Sequence, residues 1–127
     1  MPVIFGRSFE REELRRLVGG MAQLAGIRLG DLADGRVRGM RAAEVFTGSG
    51  FRFQVLVDRG LDLGSAEHAG RPLAWVHPAL ASPALREPTG IGWLRTFGGG
   101  LVSTCGLDHF GPPDPEGEGF GLHGRAS

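Results

Sequence analysis

Phe51-Arg-Phe-Gln-Val-Leu-Val-Asp58 alternates strictly enough to place Phe51, Phe53, Val55 and Val57 on one face. Successive Cβ atoms of an extended chain point to opposite sides, so a period of two predicts a β-strand with one face against a core. The neighbouring segments follow the same pattern. Upstream, 27–32 and 39–46 read as short strands separated by the turn signal Asp34-Gly35, and Thr47-Gly-Ser-Gly50 turns the chain into 51–58. Downstream, the charged corner Asp58-Arg-Gly-Leu-Asp62 leads to a strand over 63–68, a turn at Ala69-Gly70 and an extended piece over 72–76. Many short strands with frequent turn signals predict a mainly β fold, a sandwich or a barrel.

The N-terminus departs from this pattern. Leu14, Leu17, Val18 and Met21 recur at helical spacing opposite Glu10, Arg11, Glu12, Arg15 and Arg16, which predicts one helix from about Phe9 with Ser8 as N-cap. Glu12 and Arg16 stand at i, i+4, and Gly19-Gly20 should end the helix. Residues 77–92, rich in Pro, Ala and Gly, read as an irregular excursion of the kind that lines sites when ordered. The 127 residues amount to one domain at most. They stop at Ser127 directly after a motif, which reads as an interruption.

Composition narrows the function classes. Fourteen basic and fourteen acidic residues give zero net charge, so nothing marks a nucleic-acid or anionic-membrane partner. All the basic residues are arginines, which excludes a Walker A phosphate loop and Schiff-base or pyridoxal-phosphate chemistry. Tyrosine is absent too, leaving His, Asp, Glu and Cys for proton transfer. One cysteine, no apolar leader and no long apolar run lead us to expect a cytoplasmic protein.

Candidate chemistry gathers over residues 95–125, where glycines flank nearly every polar side chain and let a backbone approach a ligand closely. His123 sits between glycines in Gly121-Leu-His-Gly-Arg125, and imidazole exchanges a proton near neutral pH. His109 lies four residues after Cys105, a possible pair of zinc ligands without a second pair, so no metal is expected. Cys105 is either a nucleophile or a small buried residue. Asp58, Arg59 and Asp62 either form an ion pair at a strand end or hydrogen-bond a polyhydroxy ligand. Trp75 and Trp93 suit a core or a sugar-stacking platform, and Arg95 and Arg125 each offer a planar fork of donors. Phe97-Gly-Gly-Gly100 lacks the spacing of a dinucleotide-binding loop.

Taken together, DRGLDLG (58–64), GRPLAWVHP (70–78), GWLRTFGGGLVSTCGLDHFG (92–111) and GLHGR (121–125) resemble an aldose 1-epimerase-like group of the galactose-mutarotase-like superfamily. QLAGIRLGDLADGRVRGMRAAEV (23–45) fits as well, so the resemblance covers almost the whole chain. It implies an antiparallel β-supersandwich of roughly twice this length, of which residues 1–127 would be the N-terminal portion of a single domain. It also implies cofactor-free interconversion of sugar anomers by acid–base catalysis. His123 is similar to the histidine of a Leu-His-Gly-Gly segment in mutarotases, with Arg125 in place of the second glycine. Arg59, Asp62, Trp75, Arg95, His109 and Arg125 are the expected sugar contacts. The family's glutamate base and second histidine have no counterpart here. Two functions are therefore expected: anomer interconversion, or binding of a sugar or sugar acid without turnover. Unpaired sheet edges would make the isolated chain dimerise or aggregate.

Overall fold

The computed structural model describes residues 3–77, 89–114 and 119–124. A five-stranded antiparallel sheet runs β3 (Gly26–Asp31), β4 (Arg41–Phe46), β5 (Phe51–Leu56), β6 (Asp62–His68) and β7 (Arg71–Pro72), with neighbours in sequence paired in space. Two small antiparallel ribbons join it, β1 (Val3–Ile4) with β2 (Arg7–Ser8), and β8 (Trp75–Val76) with β9 (Gly99–Gly100). The helices are α1 (Arg11–Leu17), the single turn α2 (Trp93–Thr96) and two 3₁₀ turns. The fold is mainly β and antiparallel, consistent with a β-sandwich. Among the described residues no helix is long and apolar enough to cross a membrane.

The strands β3 to β6 lie close to where they were expected, each bounded by a turn that its own residues build, although β3 is exposed along nearly its whole length and does not alternate. Thr47 Oγ1 donates to the Phe51 carbonyl across the β4–β5 turn, and the Asp34 carboxylate accepts from the Gly35 amide at 2.7 Å. The helix differs from the expectation. Ser8 pairs with Val3 in the N-terminal hairpin, so α1 begins only at Arg11 with Glu10 at its N-cap. Of its apolar stripe only Leu14 is buried, and Leu17 is exposed. The extended piece expected over 72–76 is split between β7 and β8.

The sheet carries two unlike faces. Register pairs Ala42 with Gly30 and Leu56, Glu44 with Arg28 and Gln54, and Phe46 with Gly26 and Arg52. On this face Met40, Ala42 and Leu56 form the buried core with Leu32 and Val37. Burying a leucine such as Leu56 contributes about 1.5–3 kcal/mol. Beyond that core the same face turns polar: Glu44 lies 3.4 Å from Arg52 and 4.0 Å from Arg28, whose guanidinium sits over the Phe46 ring. The other face carries the Phe51, Phe53, Val55 row, which is half-buried, together with the exposed Ile27 and Leu29.

Between Phe53 and Val55 the β5–β6 register shifts, setting Gly64 and Ser65 of β6 against Gln54 alone. This β-bulge bends the strand locally. The Leu63 and Gly64 carbonyls there accept from the Leu101 amide, which docks the segment after β9 onto β6. The bulge therefore brings the glycine-rich C-terminal part onto the sheet.

Candidate functional site

Residues 121–124 lie across three other segments. The Leu122 amide donates to Gly90, the His123 amide donates to Gly111 at 3.0 Å, and the Gly106 amide donates to the His123 carbonyl. His123 adopts φ 61° and Gly124 φ 75°, both in the left-handed region. A β-carbon at position 124 would collide with the His109 carbonyl oxygen and come within 2.5 Å of that of Gly106, so only glycine closes this turn. The left-handed backbone at His123 costs about 1–2 kcal/mol.

Those bonds fix where the His123 imidazole goes. Its ring meets Trp93 edge-on at 4.7 Å and packs against Phe110 at 4.9 Å. Trp93 stacks on Phe97 at 4.6 Å, and Phe97 in turn faces Trp75, which neighbours His77. His77, Trp75, Phe97, Trp93, His123 and Phe110 thus form one run of rings. Within it the His123 Nδ1 is buried and has no hydrogen-bond partner among the described residues. An unmet buried nitrogen costs about 1–3 kcal/mol.

A buried ion pair supports this run from beneath. The Arg59 Nε donates to Asp62 Oδ2 at 3.3 Å, and both side chains are almost fully buried. Arg59 also donates to the Thr96 carbonyl at the end of α2, the helix that carries Trp93. Asp62 Oδ1 accepts from the Thr104 amide at 2.6 Å, two residues before Gly106. The pair therefore holds both segments that frame His123. Asp58 belongs to a separate pair, accepting from the Arg41 side chain at 2.6 Å and from its backbone amide at 2.7 Å. Hydrogen bonds from Arg41 hold the Asp58 carboxyl below its ordinary value, and Asp58 in turn raises Arg41.

The remaining expected contacts are dispersed. Trp75 is exposed on β8 and reaches His123 only through Phe97 and Trp93. Arg95 is exposed on α2. His109 Nε2 lies 2.7 Å from the Pro112 carbonyl and its ring stacks on Phe120. Arg125 lies outside the described residues. Cys105 is half-buried and free, and no group of three or more His, Cys, Asp or Glu among the described residues is placed to hold a metal ion. Phe97 and Phe110 were not anticipated, and Thr96 and Thr104 take part through backbone atoms that no side-chain pattern signals.

A family model matches residues 37–127, most of the chain. The chain belongs to the family described as Domain of unknown function (DUF4432). No curated protein and no solved structure matches it. The DUF4432 match takes in β4 to β9, the Arg59–Asp62 pair and the whole ring run about His123, while α1 and β3 precede it.

Proposed function

We propose that this DUF4432 chain carries the sugar site of an aldose 1-epimerase-like isomerase, with the His123 imidazole as its proton-transferring group. The observation that carries this reading is the buried Nδ1 of His123, unpartnered among the described residues, on a left-handed backbone between Trp93 and Phe110. Aromatic rings pack against the C–H faces of a pyranose, and an imidazole beside them suits its ring oxygen. In the reaction a base takes the anomeric hydroxyl proton while the imidazolium gives its proton to the ring oxygen. The C1–O5 bond breaks to an open aldehyde, C1–C2 rotates, and the reverse transfers close the ring on the other face. No cofactor takes part in that scheme.

The second reading is binding of a sugar or sugar acid without turnover. It is favoured by the commitment of Asp62, the buried carboxylate of the described residues, to Arg59 and the Thr104 amide rather than to the imidazole. Exchange NMR of glucose and galactose anomers separates the two. Catalysis predicts faster anomer exchange with the protein, falling to background in His123→Asn, a change chosen because asparagine tolerates left-handed backbone. Saturable binding at an unchanged exchange rate would leave binding alone. Equal exchange rates and no binding in either protein would refute both.

A further inference from the structure

The polar face of the sheet is hollowed by a cleft of about 530 Å³, lined in part by Glu44, Arg52, Gln54, Ser65, Glu67 and Val76. A shallower depression of about 250 Å³ continues it towards β3 and shares Glu44 and Gln54. The bulge makes this hollow possible, since it sets Ser65 and Gly64 together against Gln54. Bulges commonly re-aim side chains at such places.

The hydrogen-bonding capacity in the cleft is unevenly spent. Glu44 is shared between Arg52 and Arg28. Glu67 stands opposite Arg52 in register yet has no ion pair or side-chain hydrogen bond among the described residues, and the same is true of the Gln54 amide and the Ser65 hydroxyl. Arg52 and, from the cleft's edge, Arg28 both lie against Glu44, so Glu67 is the lining carboxylate left to meet a cation. A plain hydrocarbon amine would forgo the hydrogen bonds that Gln54 and Ser65 offer, and a neutral sugar would leave Glu67 without a counter-charge. Pro72, Ala74 and Val76 supply an apolar wall for a carbon skeleton.

We propose that this cleft is a second ligand site, taking a small hydroxylated amine with its ammonium on Glu67 and its hydroxyls on Gln54 and Ser65. It is separate from the His123 site. Val76 lines the cleft, whereas Trp75, the residue before it on β8, joins the ring run through Phe97. Successive strand residues point to opposite sides, so β8 divides the two.

Glucosamine, with glucose as its uncharged counterpart, is the probe, and backbone-amide NMR of the whole chain at slightly acidic pH is the readout. Glucosamine should shift the amides of 52–54 and 65–67 saturably and bind at least tenfold tighter than glucose there. Glu67→Gln should weaken it about tenfold, the worth of one charge-assisted hydrogen bond. Ser65→Arg, at an exposed position of the bulge, should weaken it at least as much by opposing the ammonium. His123→Asn should leave this binding unchanged, so the cleft is tested independently of the sugar-isomerase reading. Glucosamine shifts at Trp93 and His123 with none in the cleft, equal binding of glucose in the cleft, or indifference to both cleft substitutions would overturn the assignment.

Discussion

Replacing Asp62 by alanine tests the frame beneath the ring run. The substitution leaves the Arg59 guanidinium buried without its carboxylate and strips the Thr104 amide of its acceptor. Breaking a buried pair from one side costs about 3–5 kcal/mol, within which the orphaned amide alone accounts for about 1–3. Set against a total stability of about 5–15 kcal/mol, that is a large fraction, and for a chain of this length it lowers Tm by about 10–20 °C. Urea titration followed by circular dichroism measures it. Removing both charges together, as Arg59→Met with Asp62→Leu, leaves no unpaired charge, though the Thr104 amide and the Thr96 carbonyl still lose their partners, and should cost well under the sum of the single changes, a coupling of at least about 2 kcal/mol. Hydrogen exchange at the Gly106 amide adds a local readout, because Thr104 is the anchor for that stretch. A loss under about 1 kcal/mol in Asp62→Ala, or a double variant as unstable as the sum of its parts, would refute the argument.

Two further outcomes follow from named contacts. Gly124→Ala combines a strained left-handed backbone with a collision against the His109 carbonyl, so it should cost about 2–5 kcal/mol and displace the His123 ring, read as a changed His123 imidazole NMR signal. Asp58 is held below its ordinary carboxyl value of 3.8 by Arg41 only in the folded state, so its stabilisation is complete above that value and lost as pH falls through the lower folded one. Asp58→Asn should therefore flatten the decline of stability between about pH 5 and about pH 2 in acid unfolding curves, and an unchanged decline would count against the pair.

The sheet was legible because its code is local. Alternation over 51–58, turn residues at 34–35, 47–50 and 69–70, and the corner at 58–62 each act within a few residues, and β3 to β6 follow them closely. Which face packs was less legible. The Phe51, Phe53, Val55 row is the more apolar, yet the tightest core forms around Leu56 on the opposite side, since the β3–β4 connection folds Leu32, Val37 and Met40 onto that face beside Ala42. Ser8 illustrates the same competition at the N-terminus, where a hairpin claims the residue that capping chemistry would have used. For the site, the LHG segment marked itself by a histidine between glycines. The environment of that histidine did not, because Trp93 and Phe110 arrive from separate segments and Thr96 and Thr104 act through main-chain atoms. Arg59 and Asp62 carried a signal that was open between ligand binding and support, and they bond to each other and to the frame.

The left-handed backbone and unmet nitrogen at position 123 set folding against the sugar recognition proposed there. Asparagine there would relieve backbone strain, and glycine would relieve both strain and the buried ring nitrogen. Selection for robustness alone would thus drift away from histidine, at the expense of whatever the ring does. Under the sugar-site role proposed for it, the histidine is a stability sacrifice of a few kcal/mol made for the chemistry of its ring.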